Sequence, residues 1–309
     1  MQAADGRRGL EAREARLGWA LVAPALGVIL LVALFPILWT AWESVHRHDL
    51  RLPWLGRPFV GAANYVEVLG DARFWRALEH TLFFTATSVA LELALGVVLA
   101  LAMNRAVRGR TLVRAAVLVP WALPTVVSAL LWRFIFEGRF GLANRALVGL
   151  GLLREPVVWL ARDVGAWIPI IAADVWKTTP FVALLLLAGL QTIDPILYEA
   201  ARIDGASPWQ RFRWVTLPLL RPALLVALVF RSLDAFRVFD LIYVLTGGGP
   251  GTATEPIALY TFNALLQHLR FGYGSALSMI VFGATFLLAL GYIRLLGGAS
   301  AGARGSPVT

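Results

Sequence analysis

Charged side chains interrupt the most apolar parts of this sequence at helical intervals. Four of them alternate in sign at steps of three residues: Arg231, Asp234, Arg237 and Asp240. Asp174 and Lys177 repeat that step. Residues three apart are neighbours on a helix. A charge at the centre of a membrane helix costs about 2.5–3.5 kcal/mol and normally faces a bundle interior or a water-filled cavity. These side chains therefore either neutralise one another and hold helices together, or line a path for a hydrophilic solute.

The charges within the apolar segments are nearly balanced, with four bases and five acids. The set comprises Glu79, Glu92, Arg133, Asp174, Lys177, Arg231, Asp234, Arg237 and Asp240. Glu79 lies close to the end of its segment and is discounted. Glu92 has no base near it in the sequence, and Arg133 is the one candidate partner that we consider for it.

Composition excludes several kinds of chemistry. Only 15% of the 309 residues are charged and 59% are hydrophobic, whereas soluble domains carry about 25% charged residues. A soluble enzyme is therefore disfavoured. The absence of cysteine excludes disulfides, thiolate metal sites and cysteine nucleophiles. The single lysine, Lys177, follows Trp176, so the usual phosphate-binding loop for ATP is missing. Any ATP-driven work then requires another subunit.

Six apolar segments are long enough to cross a membrane, which takes about 20 residues. They span residues 17–42, 77–103, 112–136, 165–190, 222–245 and 275–296. Trp39 and Trp42 mark an interfacial belt at the end of the first segment, which we interpret as an uncleaved anchor. The sequence predicts an all-α integral membrane protein with an N-terminal segment at 1–16, a transmembrane domain at 17–296 and a tail at 297–309.

The distribution of arginine predicts the orientation in the membrane. Segments 1–16, 104–114, 191–221 and 294–309 carry 14 arginines in 74 residues, against 10 in 88 residues for segments 43–76, 137–163 and 247–273. By the positive-inside rule, both termini are expected in the cytoplasm. The net charge of +9 then reflects orientation and contact with anionic lipid. Nucleic-acid binding is not expected, because no basic stripe is interleaved with aromatic residues.

Prolines predict broken helices within the membrane. Pro120 and Pro124 lie near the middle of the third segment, and Pro180 follows Thr178 and Thr179 in the fourth. Non-helical backbone at membrane depth is tolerated where it is buried in protein or lines a cavity. Broken helices together with charges suggest a path for a solute rather than a simple anchor.

Residues 194–218 predict a helical hairpin on the cytoplasmic side. Asp194 is a good N-cap and Pro195 suits the first helical position. Gly205 fits the left-handed position that ends a helix. Ser207 and Gln210 are spaced as a capping box for a second helix, which is expected to end at about residues 217–218, before the fifth segment. The hairpin has no nucleophile–base pair and no metal-ligand spacing, so its role is expected to be mechanical.

This hairpin resembles the EAA loop of ABC-importer permeases. The pattern is carried by Glu199, Ala200, Ala201, Gly205, Leu217 and Pro218, with Val215 where isoleucine is usual. Residues 17–296 also resemble the sugar-permease branch, through segments 120–125, 176–180 and 245–250. Permeases of trehalose and maltose importers are especially similar.

The resemblance implies a type I importer permease that moves sugar by alternating access and performs no catalysis. The coupling helix would dock in a separate ATP-binding subunit dimer, which carries the ATP and Mg²⁺, so no cofactor is expected in this chain. A second homologous permease subunit and an extracytoplasmic sugar-binding protein would complete the importer. The stretch 247–250 would begin an outer loop that approaches the binding protein.

The resemblance also carries functional residues over to this sequence. At the joint with the ATPase it places Glu199, Ala200, Ala201, Asp204, Gly205 and Trp209. Trp209 either packs in the ATPase cleft or anchors at the interface. In the sugar path it places Trp121, Thr125, Asp174, Lys177, Thr178, Arg231, Asp234, Arg237 and Asp240.

Two other function classes remain as alternatives. A secondary transporter could be driven by protons through Asp174, Asp234 and Asp240, and would be expected to show internal repeats, but no convincing repeat is visible. An integral membrane enzyme would need a histidine or carboxylate constellation at one interface, and none is found.

Overall fold

The computed structural model describes residues 2–105 and 109–303, which are predominantly helical. Among these residues the only β-type pairing is two isolated bridges. In chain order the α-helices are α1 (Gln2–Ile29), α2 (Phe35–Ser44), α3 (Ala63–Gly70), α4 (Ala72–Arg105), α5 (Arg110–Ala122), α6 (Thr125–Ile135), α7 (Leu142–Gly149), α8 (Trp167–Gln191), α9 (Pro195–Ile203), α10 (Pro208–Arg211), α11 (Leu217–Ala235), α12 (Asp240–Leu245), α13 (Ile257–Phe262) and α14 (Phe271–Ala303). The all-α prediction is confirmed.

Within the described residues, five helical segments are long and apolar enough to cross a membrane, and a bent pair makes a sixth. The five are Arg16–Ser44, Ala72–Arg105, Trp167–Gln191, Pro208–Ala235 and Phe271–Arg294. The bent pair consists of Thr111–Ala122 and Thr125–Ile135, at 89° to each other. The chain therefore has the multi-pass helical architecture that its hydropathy predicts. The tail beyond residue 303 lies outside the described residues.

The sharp bend in the third span confirms the prediction from its prolines. Leu123 and Pro124, between α5 and α6, have extended ψ angles of 138° and 140°. A residue before proline is pushed out of the helical region, and proline has no N–H to continue the helical ladder. The break leaves Thr125 as the first residue of α6, at the point where the chain changes direction.

The predicted fifth span, and the helical ladder within it, are wrong in their bounds. Helix α11 ends at Ala235, residues 236–239 interrupt it, and α12 begins at Asp240. Only Arg231 and Asp234 thus share α11, while Arg237 lies in the interruption. The apolar residues that follow made the segment look continuous by hydropathy, although α12 has only six residues.

The hairpin 194–218 follows its predicted capping closely. The Asp194 side chain accepts a hydrogen bond from the Ile196 N–H, and Gly205 has φ +77°. Ser207 and Gln210 form the reciprocal capping box. The predicted end of the second helix at 217–218 is wrong. A π-helical turn, Phe212–Thr216, carries α10 directly into α11, because it changes the hydrogen-bond register ahead of Pro218.

Close packing of α4 on α8 forms the centre of the described transmembrane helices. A Cβ on Gly96 of α4 would lie 2.5 Å from Val182 Cγ1 of α8, so glycine allows the two backbones to approach. Gly189 plays the same part between α8 and α11, where Ala223 Cβ would be at 2.5 Å. A buried cluster that includes Leu186 joins these helices. The three helices that carry most of the intramembrane charges are thereby held side by side.

By its contacts the chain divides into two compact units. One comprises Met1–Gly70 with Ala264–Ile280, and the other comprises Asp71–Asn263 with Val281–Thr309. In the first unit the buried Asn64 amide donates to the carbonyls of Ser44 and His46, at 2.7 and 2.9 Å. The second unit contains α4 to α12 and all the candidate site residues described below.

Candidate functional site

Eight of the nine residues predicted for the solute path line one cavity of about 150 Å³, here called the charged cavity. Its lining residues are Phe84, Thr125, Asp174, Lys177, Thr178, Arg231, Asp234, Ala235, Arg237, Val238, Phe239, Asp240 and Leu241. The side chains come from α4, α6, α8, α11 and α12 and from the interruption between α11 and α12. Residues separated by more than 100 positions in the sequence therefore meet at one place.

Each interruption of a helix supplies part of the lining. The bend before α6 places Thr125 at the cavity, and the chain between Ala235 and Asp240 brings Arg237 and Phe239 to it. Helix α8 contributes Asp174 and its neighbours without a break. Irregular backbone at membrane depth is compatible with a cavity wall, where its polar groups are not exposed to lipid.

The Arg231 guanidinium lies at the centre of a network of three carboxylates. Its Nε and Nη2 donate to Oε2 and Oε1 of Glu92 at 2.5 and 2.7 Å, which makes a bidentate pair. Nη2 also donates to Asp174 Oδ2 at 3.1 Å, and Nη1 donates to Asp234 Oδ2. Only 3% of the Arg231 side chain is exposed. The network joins α4, α8 and α11 through one buried cation.

Glu92 is the intramembrane acid whose partner could not be predicted from the sequence. It is completely buried and pairs with Arg231 rather than with Arg133, so the candidate pair Glu92–Arg133 is wrong. Arg133 is exposed and its Nη1 donates to the Val244 carbonyl at 3.4 Å. Thr178 Oγ1 donates to Glu92 Oε1 at 2.6 Å. Thr178 thus lines the cavity while its hydroxyl supports the buried carboxylate behind it.

The remaining charges form the accessible part of the charged cavity. The Asp234 side chain is 68% exposed. Lys177 is half-buried, and Arg237 and Asp240 are exposed. Arg237 Nε donates to the Leu233 carbonyl at 3.3 Å. A polar solute that entered the cavity would meet both acceptor and donor side chains.

Trp121 is the predicted path residue that lies outside the charged cavity. Its ring is 48% exposed and stacks on Phe181 of α8, with centroids 5.8 Å apart and an interplanar angle of 17°. It belongs to α5, on the other side of the bend from Thr125. Trp121 is only four residues from Thr125 in the sequence, but the bend between them places Thr125 at the charged cavity and Trp121 outside it.

The predicted ATPase-joint residues lie together on the hairpin. Glu199, Ala200 and Ala201 belong to α9, Asp204 is its C-cap, and Trp209 on α10 is 69% exposed. A cavity of about 920 Å³ between the hairpin and the end of α4 is lined in part by Glu199, Arg202 and Trp209. The hairpin thus presents an exposed apolar side chain, Trp209, beside exposed charged ones such as Glu199.

Another buried carboxylate, which sequence reasoning missed, anchors the loop after α12. Glu255 is 3% exposed and accepts from Arg73 Nε and Nη2, both at 2.8 Å, and from Asn263 Nδ2 at 2.8 Å. The loop contains Pro250, which with Arg76 lines a further cavity of about 390 Å³. Glu255 falls between apolar segments, where charge is common, so composition gave no signal of its burial.

The charged cavity offers carboxylate and cationic side chains for binding. Among the residues that the structure describes, no group of three or more histidine, aspartate or glutamate side chains is arranged to hold a metal ion. Carboxylates and guanidinium groups form charge-assisted hydrogen bonds with polar solutes. The charged cavity therefore offers both acceptor and donor groups to a polar solute.

Comparison with known proteins gives consistent matches over most of the chain. Residues 92–296 match the profile of a family described as binding-protein-dependent transport system inner membrane component. A trehalose/maltose transport system permease protein of Thermococcus litoralis is 47% identical over 286 residues, which cover 93% of this chain and 95% of the relative. A trehalose transport system permease protein of Mycobacterium tuberculosis is 41% identical over 297 residues, covering 96% and 94%.

The fold also matches a solved structure. A chain from a bacterial ABC transporter involved in the import of the acidic polysaccharide alginate aligns with a TM-score of 0.79 and 24% identity. The alignment covers 94% of this chain and 98% of that chain. At this identity the likeness shows a common fold alone.

Proposed function

Because the chain belongs to the family of binding-protein-dependent transport system inner membrane components, we propose that its substrate is a disaccharide of the trehalose and maltose type. Family membership makes the chain the permease subunit of an ABC importer, which is a transport component and not an enzyme. The relatives named for these sugars each cover more than nine-tenths of the chain. That coverage includes the charged cavity and the hairpin. Family membership also favours this function over the proton-driven secondary transporter considered from the sequence.

One observation carries the proposal. The charged cavity collects polar side chains from several spans at a place where two helices are interrupted. Sugars present many hydroxyl groups, which act as both donors and acceptors, and Asp234, Asp240 and Lys177 offer partners for both roles. At about 150 Å³ the cavity is smaller than an ordinary small-molecule site of roughly 300–1,000 Å³. Alternating access, in which it enlarges towards one side of the membrane at a time, accounts for that difference.

The partners follow from the same proposal. The hairpin docks on an ATP-binding subunit dimer through Glu199, Ala200, Ala201, Asp204, Gly205 and Trp209. The dimer holds the ATP and Mg²⁺, a second homologous permease subunit completes the path, and an extracytoplasmic binding protein delivers the sugar. In this arrangement residues 17–296 form the permease domain between a cytoplasmic segment, 1–16, and a cytoplasmic tail, 297–309, of a bacterial inner-membrane protein.

Reconstitution of the complete importer in proteoliposomes tests this function. Radiolabelled trehalose and maltose should enter the vesicles only with ATP and the sugar-loaded binding protein, and uptake should compete with unlabelled disaccharide. Uptake of neither sugar by an ATP-hydrolysing complex would refute the substrate class. Sugar uptake by the purified chain alone, driven by a proton gradient, would refute the importer assignment.

A further inference from the structure

The hydrogen bonds of Arg231 leave it little capacity to bind a solute. Four of its N–H···O contacts go to three carboxylates on α4, α8 and α11, and a guanidinium has five N–H donors in all. Its side chain is 3% exposed. Although Arg231 borders the charged cavity, its Nε, Nη1 and Nη2 each donate to carboxylates of the protein.

The carboxylates that Arg231 holds are placed differently from it. Glu92 is completely buried and takes both arms of the bidentate pair. Asp174 and Asp234 both line the cavity, but only 13% of the Asp174 side chain is exposed, against 68% for Asp234. Arg231 contacts only Oδ2 of Asp234. The guanidinium therefore fixes one oxygen of Asp234 and leaves Oδ1 without a bond to Arg231.

We propose that Arg231, anchored by Glu92 and Asp174, is a positioning residue that holds Asp234 as an acceptor for sugar hydroxyl groups. This inference rests on the proposed function and deepens it. An ionised carboxylate is an acceptor only, and a hydroxyl that donates to it makes a charge-assisted bond. Without a cation between them, the carboxylates on three helices would repel one another and turn apart. The planar guanidinium fork spans three carboxylates, whereas a lysine ammonium is a single point charge.

The test is a double-mutant cycle on the complete reconstituted importer, with trehalose taken up per ATP hydrolysed as the readout. The variants are Arg231→Lys, Asp234→Asn and the two combined. Each single substitution should lower uptake about tenfold, which corresponds to one charge-assisted hydrogen bond. The combined variant should be no worse than the poorer single variant, because Arg231 acts through Asp234.

Two outcomes would overturn the proposal. If the losses multiply in the combined variant, Arg231 contacts the sugar itself. If Arg231→Lys transports like wild type, the network is structural only. Arg221→Lys is the matched control, because Arg221 is exposed on the same helix, and its uptake should equal that of wild type.

A further variant covers the possibility that Arg231→Lys fails to fold. Replacement of the pair by Glu92→Met and Arg231→Met, together with Asp174→Asn, removes the three buried charges of the network, and proteins often tolerate the replacement of a whole buried ionic group. It should assemble with its partners and still transport poorly; normal transport by this variant would also overturn the proposal. Trehalose uptake by the wild type reports separately on the proposed function, because every variant is compared with that value.

Discussion

Substitution of Gly96 offers the sharpest test of how α4 and α8 position the charged cavity. Gly96 lies one helical turn after Glu92, at the contact with Val182 of α8. In Gly96→Ala the new Cβ would lie 2.5 Å from Val182 Cγ1 and 3.1 Å from Val182 Cβ. The next contact, the Ala183 backbone N, is at 3.5 Å. A single side chain thus accounts for the clash.

The size of the effect follows from that distance. The Cβ–Cγ1 contact must lengthen from 2.5 Å to about 3.4 Å, a shift of about 0.9 Å, before it becomes an ordinary van der Waals contact. Val182 is completely buried, so the shift has to be taken up by a rotamer change or by separation of the helices. Overpacking of this kind costs about 1–3 kcal/mol. Val182→Ala deletes the clashing methyl group and should restore much of that loss in the double variant.

The measurement is the free energy of unfolding in detergent of the purified wild type, each single variant and the double variant. Gly96→Ala and Val182→Ala should each lower the free energy of unfolding. The double variant should lose less of this free energy than the two single losses added together. Gly283→Ala is the matched control, because nothing lies within 4 Å of a Cβ there; it should be neutral or stabilising. Equal stability of Gly96→Ala and wild type would refute the close helix contact, and additive losses would refute Val182 as its cause.

Three further predictions concern the hairpin and the buried Glu255. Gly205 has φ +77° and nothing within 4 Å of a Cβ, so Gly205→Ala should add about 1–2 kcal/mol of backbone strain. Less ATP-binding subunit should then copurify with it than with Gly205→Asn; equal recovery would contradict the strain argument. Ser207→Ala removes half of the capping box and should cost about 1 kcal/mol of helix stability. Amide hydrogen exchange in the first turn of α10 should become faster, and unchanged exchange protection would contradict the role of this cap. Glu255→Gln breaks a largely buried pair with Arg73 and should lower the thermal unfolding midpoint. The control Glu67→Gln, whose side chain is 52% exposed, should leave the midpoint nearly unchanged; equal shifts in the two variants would contradict the role of burial.

Local features of the fold were predictable from the sequence because their causes are local. The bend between α5 and α6 follows from Pro124, and the two hairpin caps follow from Asp194 and Ser207. Each depends on hydrogen bonds within a few residues. Hydropathy likewise located the spans, apart from the bounds of the fifth, since it depends on the composition of about 20 neighbouring residues.

Features that depend on distant partners were not predictable from one sequence. Glu92 could be recognised as an unusual charge in an apolar segment, but its partner Arg231 lies 139 residues away. The spacing of Arg231 to Asp240 suggested one helix, because the interruption at 236–239 contains no proline or glycine to mark it. The lining of the charged cavity was largely predictable through the family resemblance. The division into charges held by Arg231 and charges accessible to a solute depends on contacts between distant helices.

The continuity of the hairpin with the fifth span has a mechanical consequence. Pro208–Ala235 runs as 28 residues of helical structure with a π turn inside it, a length of about 42 Å. Over such a lever, a tilt of about 10° displaces one end relative to the other by about 7 Å. Arg231 and Asp234 sit at one end and Trp209 at the other. The Arg231 network ties this helical segment to α4 and α8. A force applied at the hairpin therefore either moves the three helices together or must first separate the buried guanidinium from its carboxylates.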